Sequence, residues 1–66
     1  MTFQQLIRGA EIFAKYVPPT EHLCGAEHDV IFFLPRDVEI TPEDCAELEA
    51  LGYKLSREYD AWIHYV

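Results

Sequence analysis

Asp29–Leu34 reads DVIFFL, and this stretch decides the fold. Its large apolar residues follow one another without alternation. A half-buried surface strand alternates apolar and polar side chains; an unbroken apolar run of this length belongs to a strand in the middle of a sheet, covered on both faces. Pro35-Arg36-Asp37 closes it, since a proline offers no backbone donor for a further ladder bond.

Downstream, Thr41-Pro42-Glu43-Asp44 opens a helix. Thr41 is the cap, Pro42 takes the first helical position, and two carboxylates occupy the first turn, where the helix dipole favours them. The helix is expected to reach about Leu51, with Gly52 as its left-handed terminator. Cys45, Leu48 and Leu51 form the inward stripe, and Glu43 and Glu47 point away from it. Tyr53 to Arg57 then reads as a strand, Glu58-Tyr59-Asp60 as a turn, and Ala61 to Val66 as the second arm of a hairpin.

Upstream, Thr20 to His28 is a loop or a short irregular strand, and Pro18-Pro19 ends whatever precedes it. Thr2 to Gly9 reads as a short helix capped by Thr2, with Phe3, Leu6, Ile7 and Ala10 at helical spacing. Gly9 interrupts that pattern, and the branched and aromatic content of EIFAKYV predicts a strand from about Glu11 to Val17. The order helix, strand, strand, helix, strand, strand predicts an α+β fold: a small antiparallel sheet of three or four strands, one main helix packed on it, and a short N-terminal helix. Sixty-six residues form a single domain, 1–66, and a chain this short has little core to spend on anything but folding.

Composition narrows the function. Half the residues are apolar, too many for a disordered chain, and 14% are aromatic, more than so small a core hides, so some aromatic surface is left for a partner. The net charge of −7 opposes direct binding to nucleic acid or anionic membranes, which depends on Lys and Arg. VIFFLP is too short to span a bilayer, and MTFQQLIRG lacks the basic and then apolar pattern of a secretory signal. Two cysteines, Cys24 and Cys45, make no disulfide framework and are expected as reduced thiols in a cytosol.

The charge is concentrated. DVEITPEDCAELEALG, Asp37 to Gly52, holds Asp37, Glu39, Glu43, Asp44, Glu47 and Glu49 and no Lys or Arg. Helix surfaces ordinarily mix signs, because Glu four residues before Lys is mildly stabilising. A run that gives this up suits a recognition surface for something positive; its ordinary alternative is a solvated face that keeps the protein in solution.

From Ala14 onward the chain resembles a group of small phage- and prophage-encoded proteins. The resemblance rests on AKY (Ala14–Tyr16), AEHDVI (Ala26–Ile31), EDCAELEALGY (Glu43–Tyr53) and EYDAWIHYV (Glu58–Val66). No catalytic residue carries over from this group. The resemblance implies a genetic setting in which very small acidic proteins inhibit host defence, as anti-CRISPR proteins do. The function expected on this basis is that of a non-enzymatic inhibitor. The six carboxylates would stand in for phosphates at a basic, nucleic-acid-binding surface of a protein partner such as a CRISPR effector subunit, with Trp62 or Tyr59 as the apolar anchor. No cofactor or metal is expected. A second reading is a homodimeric accessory phage protein joined through its C-terminal hairpin. A third is a small metal-binding protein using His22, Cys24, Glu27, His28 and Asp29, whose spacing matches no standard zinc pattern. Cys24 with a histidine and an acid also has the composition of a nucleophile triad, for which a domain of this size offers little pocket. For Glu27 and Asp29 the plain alternative is hydrogen bonding to backbone amides at the entry to the central strand.

Overall fold

The computed structural model describes residues 1–18 and 20–66; Pro19, the second proline of the expected break, lies outside them. Two helices and a four-stranded antiparallel sheet form an α+β fold with a short N-terminal helix. The elements are α1 (Phe3–Phe13), β1 (Gly25–Glu27), β2 (Val30–Pro35), α2 (Pro42–Ala50), β3 (Lys54–Ser56) and β4 (Ala61–Tyr65). The strand order is β1-β2-β4-β3, so DVIFFL does supply a central strand, and the last strand is central as well.

Both faces of β2 are apolar, but the helices cover only one. Ile12 and Phe13 of α1 and Leu48 of α2 join Phe33, Leu34, Tyr53 and Trp62 in the main core. The register explains why two consecutive β2 residues enter it. Phe32 faces Ile63 and Pro35 faces Ala61, so β2 carries one extra residue there, a bulge that turns both Phe33 and Leu34 toward the helices. The opposite face holds a smaller cluster of Val30, Ala61 and Ile63 under Phe32 and Tyr59, with no helix over it. The expected cover on both sides of the sheet is therefore present on one side only.

The strand expected over Glu11–Val17 is absent. α1 continues through Gly9 to Phe13, and Ala14–Tyr16 form a turn. Gly9 is a seat rather than a break: a Cβ there would collide with the Tyr53 hydroxyl oxygen and its Cζ. The Tyr53 hydroxyl donates to the Gln5 carbonyl at 2.9 Å, on the same helix. This contact also sets which face of α1 points inward. Gly9, Ile12 and Phe13 are buried, while Phe3 is 84% and Ile7 60% exposed, so the expected Phe3–Leu6–Ile7–Ala10 stripe is rotated outward except at Leu6. Thr2 caps α1 as expected, and Gln5 completes a capping box by accepting from the Thr2 amide at 2.7 Å.

α2 keeps the boundaries its sequence implies. The Thr41 hydroxyl accepts from the Asp44 amide, and Pro42 sits in the first turn. At the other end Gly52 has φ +97°, the Tyr53 amide donates to the Leu48 carbonyl and the Gly52 amide to the Glu49 carbonyl. Those two bonds are a Schellman ending, and they drop Tyr53 straight into the core. There Tyr53 meets Phe13, Phe33 and His64 edge-on at centroid distances of 5.4, 5.0 and 4.6 Å.

Candidate protein-binding surfaces

The acidic run begins in the loop after β2 and continues along α2. Asp37, Glu39, Glu43 and Glu49 are exposed, and no cation lies within ion-pair distance of them among the described residues. Asp44 and Glu47 differ. The Arg8 guanidinium of α1 donates to both Glu47 oxygens, at 2.5 and 2.9 Å, and Lys15 Nζ lies 2.8 Å from Asp44. Tyr16 hydroxyl also donates to Asp44 and accepts from the Thr41 amide at 3.2 Å, so the end of α1 is fastened to the first turn of α2. The run that lacks bases in sequence is thus partly answered by bases 29 and 39 residues away.

These contacts shift both carboxyls. Glu47 is held below its ordinary range mainly by the hydrogen bond from Arg8, and Asp44 mainly by that from Lys15, with Tyr16 second. In return Arg8 and Lys15 hold their protons more tightly. Arg36 lies 3.8 Å from Asp60, and Lys54 Nζ sits 5.2 Å from the centroid of the Tyr65 ring. Four of the chain's five bases are therefore engaged with groups of the chain itself. Of the twelve acidic side chains, Glu11, Asp44, Glu47 and Asp60 alone have a cation in reach among the described residues. The surplus negative charge is presented outward.

The two aromatic residues expected as anchors are not beside this surface. Trp62 is 3% exposed and edge-on to Phe13; it completes the core, and its indole is closed to a partner. The reason is the central position of β4, whose Trp62 side lies beneath the helices. Tyr59 lies on the other side of the sheet, half-buried, with its ring 4.8 Å from that of Phe32. A surface joining the α2 carboxylates to Trp62 or Tyr59 does not form.

That helix-free face was not legible as a unit in the sequence. The registers Glu27↔Val30, Phe32↔Ile63, Val30↔Tyr65 and Lys54↔Ile63 put Glu27, Phe32, Tyr65 and Lys54 on it together. Asp29, in the turn entering β2, and Glu58, beside Tyr59, border it. Neither Glu27 nor Asp29 accepts a side-chain hydrogen bond from a backbone amide among the described residues, so the backbone bonding expected as their plain alternative does not form. The Tyr59 phenol is pushed up, first by the charge of Glu58 and by burial, then by Tyr65, Glu27 and Asp29. Alternating apolar and polar residues on β4 would have been the only sequence signal for an open face, and Ile63 and Tyr65 conceal it.

The His22–Asp29 cluster is not drawn together. Among the described residues no three His, Cys, Asp or Glu side chains are placed to hold one ion. Cys24 is exposed, and desolvation raises its thiol, the opposite of what an activated nucleophile requires. Cys45 is half-buried beside the Ile40 carbonyl, and burial raises it too. No described helix is long and apolar enough to cross a membrane. Comparison of the chain with family models, with curated proteins and with solved structures finds no match.

Proposed function

We propose that this chain is a non-enzymatic protein-binding module that acts as a phage-type inhibitor of a host defence complex in the cytosol, covering a basic, nucleic-acid-binding surface of its partner. The contact residues are Asp37, Glu39, Glu43 and Glu49. Asp44 and Glu47 act differently: they fasten α2 to α1 and so hold the exposed carboxylates on a fixed frame. One observation carries this reading. Among the described residues the four outward carboxylates have no cation in reach, while Arg8, Lys15, Arg36 and Lys54 are already engaged within the chain. Such a surface attracts a basic partner at long range and speeds encounter.

The test is displacement of labelled target DNA from a panel of purified CRISPR effector complexes. The chain should displace DNA from one of them, and displacement should weaken steeply as salt rises. Glu43→Lys/Glu49→Lys should abolish it in protein whose circular dichroism matches the parent, while Glu21→Lys, in an exposed loop outside the run, should not. Glu47 is unsuited to this test because its replacement also frees Arg8. Failure of the folded parent chain to displace DNA from any complex would overturn the reading.

A further inference from the structure

The helix-free face of the sheet has a construction of its own. Its floor is Val30, Ala61 and Ile63, all buried and all on the two central strands, so it is rigid. Above the floor stand the paired rings of Phe32 and Tyr59, tilted 33° to each other, and at the end of β4 the Tyr65 ring, 47% exposed. Phe32 leans over Gly25 on the neighbouring strand, where a Cβ would already be in van der Waals contact with its ring at 3.5 Å. The face is therefore an aromatic ledge on a packed base, with no element among the described residues to cover it.

Its charge selects among possible occupants. Glu27, Asp29 and Glu58 border the ledge, and none has a cation in reach among the described residues. Their charges converge on Tyr59. Open-sheet aromatics can stack on nucleobases, but such surfaces pair the rings with Lys and Arg that hold the phosphates. Carboxylates in that position repel a phosphate backbone. A second copy of the chain, docked face to face, would set the carboxylates around Tyr59 near their own counterparts. A planar cation satisfies both features at once: its face stacks on a ring and its N–H groups meet a carboxylate. The chain already places a cation on a ring of this face, since Lys54 Nζ sits 5.2 Å from the centroid of the Tyr65 ring.

We infer that this face, centred on the Phe32–Tyr59 ring pair and bordered by Glu27, Asp29 and Glu58, is a second interaction surface that takes an arginine-bearing segment of a partner protein. It lies across the sheet from α2 and stands independently of the acidic-run reading. Arginine is preferred to lysine here because guanidinium is planar, weakly hydrated and able to bind a carboxylate through two parallel hydrogen bonds.

The experiment is an NMR titration of the isotope-labelled full chain with a short Arg-Gly repeat peptide, the matching Lys-Gly peptide and single-stranded DNA. The Arg-Gly peptide should shift the amides of β1, β2 and the Tyr59 turn, saturably, and bind several-fold more tightly than the Lys-Gly peptide. Glu27→Lys/Glu58→Lys replaces exposed side chains and should weaken binding by about tenfold or more. Tyr59→Leu keeps an apolar cover on the Val30–Ala61–Ile63 cluster while removing the ring, and should also weaken it. Glu21→Lys should change affinity by less than about twofold, as a remote charge does under screening. Shifts confined to α2, absence of saturable binding, tighter binding of DNA, or peptide-independent self-association through this face would each overturn the proposal, and the first would leave the acidic-run reading in place.

Discussion

Gly9 and Tyr53 carry much of the architecture at the scale of single residues. An alanine inside a helix ordinarily stabilises it by about 1 kcal/mol relative to glycine. Here the methyl would collide with the Tyr53 ring, and overpacking of a core costs roughly 1–3 kcal/mol. Gly9→Ala should therefore lower stability in denaturant titrations, against its helix propensity. The cost should shrink in a Tyr53→Leu background, because neighbours that collide couple in a double-mutant cycle. Equal cost in both backgrounds would disprove the contact. Burial raises the Tyr53 phenol to about 12, so the hydroxyl keeps its proton for Gln5 throughout the neutral range. The thiols give a second test. Both are free and both are raised by desolvation, so they should be poor thiolates at neutral pH. A thiol-specific colour reagent should titrate two groups slowly in the native protein, exposed Cys24 before half-buried Cys45. A native count of zero would indicate a disulfide.

At the scale of elements, the notable feature is how α1 is held to α2. Neither helix is long enough to be stable alone. Packing of Ile12, Phe13 and Leu48 supplies the adhesion, and Arg8–Glu47 with Lys15–Asp44–Tyr16 supplies the register. Because the folded-state pKa values of Asp44 and Glu47 lie below their ordinary 3.8 and 4.5, their contribution is complete above the ordinary values. It is lost as pH falls through the depressed ones. Wild-type stability should thus fall between about pH 5 and about pH 3 more steeply than that of Arg8→Met/Lys15→Met, in which both carboxyls lose their cations. Identical acid profiles, measured by thermal melting, would show that these pairs form no part of the folded state.

Across the whole molecule, repulsion outnumbers attraction. Eight carboxylates lack a cation in reach among the described residues, and the net charge is −7. Salt screens both the few surface pairs and the many repulsions between exposed charges. The repulsions are more numerous, so the melting midpoint should rise as sodium chloride is added to a low-salt buffer, although the α1–α2 pairs weaken at the same time. A midpoint that falls with salt would mean that the pairs dominate. The same surplus charge is what a basic partner would neutralise, and binding and salt should therefore stabilise the fold in the same direction while competing with each other for the surface.

Local chemistry was enough to read α2, the central place of DVIFFL and the α+β class. Thr41-Pro42 and Gly52 act on their own backbone neighbours, and a run of large apolar residues favours an interior strand wherever the chain goes. Tertiary contacts decided the rest. Gly9 looks like a helix breaker until Tyr53, forty-four positions on, is found occupying the space its missing side chain leaves. Trp62 and Tyr59, three residues apart, look like interchangeable anchors until the sheet sends one beneath the helices and the other to the open face. The acidic run looks unanswered until α1 and the turn after it bring Arg8 and Lys15 against it. In each case the deciding partner is distant in sequence and adjacent in space, and no local preference for helix, strand or charge encodes that distance.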